Sequence, residues 1–392
     1  MKKYLFYIVK YVKWIYSLYF YMGNLFMRLL KIFVKPDDKL ILFISFGGRK
    51  FDDSPKAIYD EMLQDSRFKD YKLVWAFTDP TKFSIPVGEK IKTDTLTYFI
   101  TALKARVWIT NSTVERGLSF KGKHTLYFNT WHGTPLKKMG EDISQNTKSF
   151  RGKGKATYDV FLAQGEYEAE VFSRAFKIDN DKIYVIGLPR NDVYSAYTKE
   201  SCEILKSKLN IPRDKKVVLY APTFREYEAD AAGQRTLSIP VNFENLRKRL
   251  SDDWVVLFRA HYEVAKALKI QDDEFIRDMS SYPSLEDLMI VSDVLISDYS
   301  SMFFDYSVMH KPMLCFAYDY ERYAKERGMY FDIREYLPFA SKESELLRLI
   351  EDSDKVEYSH ATKRFQEKFV TAYGTAAKQS LNLIYQSLES LG

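Results

Sequence analysis

Short apolar runs and amphipathic stretches alternate along the first half of the chain. The runs are rich in β-branched and aromatic residues and lie at 40–46, 71–77, 106–110, 125–129, 158–163 and 182–187. Between them lie stretches with helical periodicity, such as SPKAIYDEMLQ and EYEAEVFSRAF. Continuous apolar strands separated by helices are typical of parallel sheets that are buried on both faces. The pattern therefore predicts an α/β domain with a parallel sheet.

The same alternation restarts after a polar stretch near 195–214. Its apolar runs lie at 216–221, 254–260, 294–298 and 312–317, and three more helical stretches follow them. A chain of 392 residues is too long for one ordinary domain. We therefore expect two α/β domains, at 36–197 and 198–392, with a cleft between them.

Composition narrows the class of protein further. With 46% apolar and 29% charged residues the chain is typical of folded proteins. Cys202 and Cys315 are its only cysteines and have neither zinc nor redox spacing, which favours a reducing compartment. The nucleotide-binding patterns G-x-G-x-x-G and G-x-x-x-x-G-K-[ST] and the zinc pattern H-E-x-x-H are all missing from the sequence. Dinucleotide oxidoreductases, P-loop kinases and zinc hydrolases are therefore disfavoured.

The positive charge of the chain is concentrated in residues 1–35. This segment has seven Lys and Arg residues and no acidic residue, so its charge is +7. The whole chain has a net charge of +6, so the remaining residues together carry −1. Its longest uncharged stretch, Trp14 to Met27, has 14 residues, whereas a spanning helix needs about 20. Aromatic rings and lysines suit the surface of an anionic membrane. We expect peripheral attachment through 1–35; the alternative is a helix that packs on the protein body.

Unusual residues follow the ends of several predicted strands, where ligands bind in parallel sheets. His132 lies in NTWHGTPLKKMG after one strand, and His261 lies in RAHY after another. The other two segments are APTFR at 221–225 and SDYSSMFFDY at 297–306. Each histidine alone could be structural, but their convergence with these segments at strand ends favours a functional site.

The SDYSSMFFDY segment combines a strand end with a helix start. Ser300 and Ser301 would lie where free backbone N–H groups and the helix dipole favour a phosphate, although serines are also ordinary helix caps. Asp305, about one turn into the helix, could reach hydroxyl groups of a ligand. A cap alone does not require that acid.

Four motifs together carry a family resemblance. WHGTPLKKMG, GLPRNDVY (187–194), YAPTFRE (220–226) and SDYSSMFFDY resemble the motif set of the CDP-glycerol glycerophosphotransferase family, the teichoic acid primases and polymerases of Gram-positive bacteria. The resemblance covers about residues 40 to 390 in order. It implies a GT-B fold, with two Rossmann-like domains facing across a cleft, an acceptor-binding N-terminal domain and a donor-binding C-terminal domain.

The resemblance also implies the reaction and its residues. Such an enzyme transfers glycerol phosphate, or another polyol phosphate, from a CDP-activated donor to a lipid-linked (undecaprenyl diphosphate) teichoic acid acceptor and releases CMP. His132 is expected to be the base and His261 to donate to the pyrophosphate. The donor-binding residues are expected to be Thr223, Arg225, Asp298, Ser300, Ser301 and Asp305. The acceptor-binding or cleft residues are expected to be Asn111, Thr134, Lys137, Lys138, Arg190 and Asn191.

The expected partners are the CDP-polyol, the lipid-linked acceptor and the anionic surface on the cytoplasmic side of the membrane. No cofactor or catalytic metal is expected, and homo-oligomerisation is left open. The loop 137–155 has a net charge of +4, which fits either a solvated loop or an entrance for a phosphate-bearing acceptor; no nucleic-acid motif accompanies it.

Three alternatives remain at this point. The donor could be CDP-ribitol instead of CDP-glycerol, either in a ribitolphosphotransferase or in a capsule polymerase of the same family. A UDP-sugar-dependent GT-B enzyme would share the fold. A catalytically inactive membrane-associated scaffold would share the N-terminal segment.

Overall fold

In the computed structural model, the described residues are 12–143, 156–223, 225, 240–260 and 272–390. These residues divide into two compact units. The first runs to His132, resumes over Ile143–Asp192 and takes in the chain from Thr375 onward. The second comprises Gly133–Asp142 and Val193–Gly374.

A seven-stranded parallel sheet forms the centre of the first unit. Its strand order is β3-β2-β1-β4-β5-β6-β7. The strands are β1 (Asp37–Ile44), β2 (Lys72–Phe77), β3 (Glu89–Lys92), β4 (Ala105–Thr110), β5 (Leu126–Asn129), β6 (Val160–Ala163) and β7 (Ile183–Val185). The inner strands β4, β5 and β6 are buried at every position, as strands covered by helices on both faces must be.

A six-stranded parallel sheet forms the second unit, in the order β10-β9-β8-β11-β12-β13. The strands are β8 (Lys216–Tyr220), β9 (Trp254–Phe258), β10 (Ile276–Asp278), β11 (Val294–Ser297), β12 (Met313–Phe316) and β13 (Phe339–Ala340). In both sheets the strand order reverses beside the unit's first strand, between β1 and β4 and between β8 and β11. The carboxyl ends of strands at such a reversal are where α/β sheets bind ligands.

Thirteen α-helices occur in the described residues. They are α1 (Lys13–Phe33), α2 (Asp53–Met62), α3 (Leu96–Lys104), α4 (Glu166–Phe176), α5 (Asp192–Ala196), α6 (Lys199–Lys208), α7 (Phe243–Leu250), α8 (Leu285–Val291), α9 (Met302–Ser307), α10 (Tyr320–Arg327), α11 (Glu343–Glu351), α12 (Val356–Phe369) and α13 (Ala376–Ser390). The predicted α/β class and its parallel sheets are confirmed.

All ten predicted strands form, and three that the pattern did not predict form as well. These three, β3, β10 and β13, are edge strands of two to four residues. The β3 segment EKIK is exposed at three of its four positions, so no apolar run marks it in the sequence.

One face of α1 packs on the first unit through the loop that follows β4. The hydroxyl groups of Tyr16 and Tyr19 donate to the carbonyls of Gly117 and Arg116 at 3.1 and 3.0 Å. The Ser119 amide donates to the side chain of Asn24 at 2.8 Å. Residues 1–35 therefore include a helix that packs on the body of the protein, as the alternative interpretation expected.

The opposite face of α1 is apolar and exposed. It presents Trp14, Leu18, Tyr21, Met22, Leu25, Leu29 and Ile32 to solvent. These positions recur at intervals of three and four residues, which places them in one stripe along the helix. No helix of the described residues has both the length and the apolar character that a membrane crossing requires.

The last helix returns to the first unit. Leu381 and Ile384 of α13 are buried in the core formed by β1, β2 and α2. The carboxylate of Asp192 accepts hydrogen bonds from the Ala376 and Ala377 amides at 2.9 and 2.8 Å, which caps this helix. The extents of the two units therefore differ from the expected division between residues 197 and 198, because α13 packs away from the sheet that precedes it in sequence.

Candidate active site

The loop after β5 holds His132 in a defined orientation. The preceding residue, Trp131, has a positive φ of 52°, and its amide donates to the Asn129 side chain at 2.8 Å. The Trp131 ring packs against Phe176 of α4 at 4.6 Å and stacks on the His132 ring at 4.2 Å between centroids. The tight turn, with its strained backbone at Trp131, therefore fixes the position of the His132 ring.

Asn111, which follows β4, connects His132 to the loop after β1. Its carbonyl is 2.6 Å from His132 Nδ1, and its side-chain oxygen accepts the Phe46 amide at 2.7 Å. Because a carbonyl oxygen only accepts hydrogen bonds, Nδ1 carries a proton in the neutral ring. The Nε2 lone pair is then available to accept a proton. Asn111 is fully buried and bonds to His132; its expected place among the acceptor-binding or cleft residues stays a prediction.

The surroundings of His132 keep its ring neutral. The residue is exposed to solvent, but protein atoms crowd the ring closely enough that desolvation lowers the pKa of His132. The hydrogen bond to Asn111 and the charge of Asp53 oppose this effect, while the positive charges of Arg190 and Arg49 add to it. A pKa below the ordinary value of about 6.5 leaves the imidazole unprotonated at neutral pH.

Arg190 and Asn191 are structural members of the first unit. Arg190 Nη1 is 2.9 Å from Asp53 Oδ2, and both side chains are 8% exposed. Asp53 begins α2 with a positive φ of 67°. Asn191 is buried and donates to the Gln164 side chain at 3.0 Å. The GLPRND turn thus attaches to the start of α2 and to the strand end at Gln164.

The residues that follow His132 belong to the second unit. Gly133 has a φ of 154°, and a Cβ there would lie 2.8 Å from Ser301 Oγ, so only glycine fits. Thr134 is buried. Lys137 Nζ lies 5.4 Å from the Tyr323 ring centroid, and the Lys138 amide donates to the Gly328 carbonyl at 3.1 Å. Thr134, Lys137 and Lys138, expected to bind the acceptor or to line the cleft, thus belong to the second unit.

Asp298 joins the loops that follow β8 and β11. Its Oδ1 accepts the Thr223 amide at 2.8 Å, the Tyr299 amide at 2.7 Å and the Thr223 hydroxyl. The side chain is 2% exposed. Asp298 therefore ties the APTFR segment to the SDYSS segment at the reversal of the second sheet.

Arg225 completes this network from inside. Its side chain is fully buried and contacts Asp298 and Asp319 at 2.8 Å each, and the Tyr323 ring lies 4.9 Å from the guanidinium carbon. Burial works against the charge of Arg225, but the two carboxylates raise its pKa. The described contacts of this guanidinium are with Asp298, Asp319 and the Thr223 carbonyl, and the expected role of Arg225 in donor binding stays a prediction. The network also includes Asp319, which sequence analysis missed because a single acid after a strand carries no motif.

The start of α9 carries the predicted serines. Ser300 Oγ accepts the Met302 amide at 3.2 Å, and Ser301 lies at the helix start against Gly133. Asp305 is buried. The two serines and Thr223 are only partly buried, which distinguishes them from the buried Asp298 and Arg225 beside them.

Part of the predicted site lies outside the described residues. This holds for His261 and for the basic residues Lys148, Arg151, Lys153 and Lys155. In the part of the chain that the structure describes, no group of three or more His, Cys, Asp or Glu is placed to hold a metal ion.

One protein family and several of its members match most of this chain. Residues 26–386 match the model of the family described as CDP-Glycerol:Poly(glycerophosphate) glycerophosphotransferase. A teichoic acid poly(glycerol phosphate) polymerase of Staphylococcus epidermidis is 35% identical over 91% of this chain, which spans 51% of that protein. A teichoic acid glycerol-phosphate transferase of Staphylococcus aureus is 34% identical over 88% of this chain and 92% of its own length.

Solved structures agree with these matches. The Wall Teichoic Acid Polymerase TagF, in a structure obtained after a CDPG soak, has a TM-score of 0.85 at 32% identity and covers 93% of each chain. A putative UDP-N-acetylglucosamine 2-epimerase from Listeria monocytogenes has a TM-score of 0.54 at 15% identity over 90% of this chain and 97% of its own. The second likeness is one of fold alone.

Proposed function

The chain belongs to the CDP-glycerol:poly(glycerophosphate) glycerophosphotransferase family, and on this premise we propose that it transfers glycerol phosphate from CDP-glycerol to a lipid-linked teichoic acid acceptor. CMP is the second product. The observation that carries the proposal, beyond family membership, is the geometry of His132. Its Nδ1 is bound to the Asn111 carbonyl at 2.6 Å, and a general base for an acceptor hydroxyl needs the free Nε2 that this bond leaves.

The reaction uses His132 as follows. The acceptor hydroxyl oxygen attacks the phosphorus that carries the glycerol, the bond from that phosphorus to the CMP oxygen breaks, and the hydroxyl proton passes to His132 Nε2. The departing CMP phosphate takes up the negative charge. Positive and hydrogen-bonding groups near that phosphate lower the barrier because charge develops there.

We assign donor binding to the second unit. The partly buried Ser300, Ser301 and Thr223 lie at the reversal of its sheet, and Asp298 holds their loops together. His261 follows Ala260 after β9 and is proposed to donate to the pyrophosphate, and Asp305 to bind the polyol hydroxyls. The GT-B arrangement is part of the same proposal, and the TM-score of 0.85 to TagF supports it.

Glycerol is the proposed polyol, and ribitol is the second candidate. The family description names glycerophosphate, and relatives named for glycerol phosphate reach 36% identity. Relatives named for ribitol phosphate, from Bacillus spizizenii, are 31% identical over about half of the chain. Relatives of both kinds thus match this chain, and those named for glycerol phosphate cover more of it, 65% to 91% against 51% and 56%.

Product mass spectrometry tests the reaction. Purified protein is incubated with a short lipid-linked acceptor and, in separate reactions, CDP-glycerol, CDP-ribitol or a UDP-sugar. We expect the acceptor to gain the mass of glycerol phosphate with CDP-glycerol, together with stoichiometric CMP. Addition of a sugar, or CMP release without any change in acceptor mass, would reject the proposal, and ribitol phosphate addition would select the second candidate.

We also propose that the exposed stripe of α1 binds an anionic membrane surface on the cytoplasmic side. The stripe carries Trp14, Leu18 and Leu25, which are at least half exposed, and the seven cations of residues 1–35 complement anionic lipid. The other face of α1 is occupied by the first unit, so the helix would lie along the membrane surface.

Vesicle sedimentation tests this attachment. Leu18→Asp with Leu25→Asp should reduce binding to anionic vesicles about tenfold or more, since two apolar side chains leave the interface and two negative charges enter it. Val356→Asp changes an equally exposed apolar residue of the second unit and serves as the control. High salt should release only part of the wild-type protein, because ring burial is not screened. Equal sedimentation of both variants would place the anchor elsewhere.

A further inference from the structure

The loop after β1 is held in an unusual conformation beside His132. Phe46, Gly47 and Gly48 have consecutive positive φ values of 47°, 65° and 89°. The Gly47 amide donates to Ser112 Oγ at 3.0 Å, and the Phe46 ring centroid lies 5.8 Å from that of His132. A hydrogen bond and a ring contact therefore hold this loop, as similar contacts hold the turn that carries His132.

Two guanidinium groups converge on Gly47. A Cβ on this glycine would lie 3.1 Å from Arg116 Nη1 and 3.9 Å from Arg49 Nη1. Both guanidinium groups therefore lie close to the Gly47 backbone, and the region beside their Nη1 atoms is called the space over Gly47.

The two arginines differ in how they are paired. Arg116 donates from Nε and Nη2 to the Asp94 carboxylate at 2.8 and 2.7 Å and from Nη1 to the Gly47 carbonyl at 3.3 Å. Arg49 is exposed, and no ion pair involves it within the described parts of the chain. Arg116 is therefore a fixed wall of the space, and Arg49 is the group that a ligand can engage.

The position of this space relates it to the reacting hydroxyl. Desolvation lowers the pKa of His132, and the charge of Arg49 lowers it further, so Arg49 lies within electrostatic reach of the base. Asn111 holds the Phe46 amide and His132 Nδ1 at the same time. A ligand on Arg49 would therefore lie on a loop that Asn111 connects to His132.

The same region contacts the proposed membrane helix. The Tyr19 hydroxyl donates to the carbonyl of Arg116 at 3.0 Å, so the residue that forms one wall of the space also supports α1. An acceptor linked to a membrane lipid carries its phosphates close to the lipid.

We infer that Arg49 and Arg116, over Gly47, form a subsite for a phosphate group of the acceptor, near the hydroxyl that His132 deprotonates. The inference rests on the proposed function. Arg49 engages the phosphate, since a planar guanidinium offers two parallel N–H donors to phosphate oxygens. Arg116, held by Asp94, adds positive potential from behind.

Steady-state kinetics of Arg49→Gln test the subsite. We expect KM for a phosphate-bearing acceptor to rise about 10-fold to 100-fold, as loss of charged hydrogen bonds predicts. KM for CDP-glycerol should stay within about twofold, and Arg49→Lys should recover part of the loss. Lys56→Gln is the matched control, because Lys56 is an exposed cation of the same unit that pairs with Asp60 at 2.5 Å.

Direct binding separates this inference from the proposed function. Isothermal titration with a soluble acceptor analogue that bears a glycerol phosphodiester should show the same loss of affinity in Arg49→Gln, and an analogue without phosphate should show none. If wild type transfers glycerol phosphate but the variant keeps its acceptor KM and affinity, the subsite is rejected while the function stands. A rise only in donor KM, or a loss only of vesicle binding, assigns Arg49 to the donor or to a lipid headgroup and overturns the inference. If wild type transfers no glycerol phosphate, the function fails and the titration alone decides the subsite.

Discussion

The two sheets reverse their strand order at equivalent points, but the loops at these points treat charge in opposite ways. In the first unit, His132 and Arg49 are exposed beside the reversal. In the second unit, Arg225 and Asp298 are 0% and 2% exposed and form an ion pair at 2.8 Å. The shared topology therefore determines where loops converge, while the side chains decide whether that place exchanges protons with a ligand or holds loops rigid.

His132 is expected to matter for catalysis and to contribute little to the stability of the first unit. We expect His132→Ala to lower kcat by about 10² to 10⁴ and to change the free energy of unfolding by less than about 1 kcal/mol. His124→Ala is the control, because His124 precedes the same strand and also bonds a carbonyl, that of Leu103, at 3.1 Å. Equal kcat values in His132→Ala and His124→Ala would show that His132 has no special part in catalysis.

The buried Asp298 is expected to stabilise the second unit. Asp298→Ala leaves Arg225 buried with one of its carboxylates removed, which should cost about 3 to 5 kcal/mol in chemical denaturation. Asp354→Ala breaks an exposed ion pair with Lys216 in the same unit and should cost less than about 1 kcal/mol. Similar losses in both variants would show that the buried network does not hold the second unit together.

Two buried tyrosines test hydrogen-bond satisfaction in each unit. In the first, the Tyr98 hydroxyl donates to the Val114 carbonyl at 2.5 Å, so Tyr98→Phe should cost about 1 kcal/mol or more. In the second, the buried Tyr220 hydroxyl has no hydrogen-bond partner in the described part of the chain. Tyr220→Phe should therefore be neutral or stabilising in thermal denaturation, and a loss matching that of Tyr98→Phe would argue against the difference.

The pH dependence of turnover gives the smallest effect. His132 must be neutral to accept a proton, so kcat should fall as the pH drops through a pKa below the ordinary histidine value, and it should level off above that pKa. Arg49→Gln removes a positive charge that lowers the pKa of His132, so the acidic limb of the kcat profile should move to higher pH. A limb that stays in place would mean that Arg49 does not act on the base.

Inner strands could be predicted from the sequence, since long apolar runs mark strands buried on both faces. Edge strands such as EKIK carry no such run, because solvent reaches them and polar residues suffice. The place of His132 after β5 was predictable from the sequence. Asn111 was expected in the cleft, but its bond to His132 was not predictable, because it uses the backbone carbonyl, which every residue has.

Other parts of the site depend on tertiary contacts. The FGG segment after β1 lacks the G-x-G-x-x-G pattern, and only the structure shows its three consecutive positive φ values. Arg225 stands in a motif that suits ligand binding, but packing buries it among carboxylates and rings, and an arginine can do either. The sequence also could not show that α13 packs on α2, since that contact joins residues more than 300 positions apart.

The return of α13 has a consequence for biosynthesis. The first unit lacks Leu381 and Ile384 of its core until the ribosome has released the whole of the second unit. The capping of α13 by Asp192 closes a loop that contains most of that second unit, and such closure carries an entropic cost that grows only slowly with loop length. During translation, most of the second unit, Val193–Gly374, leaves the ribosome as one stretch, while the first unit must wait, partly assembled, for α13.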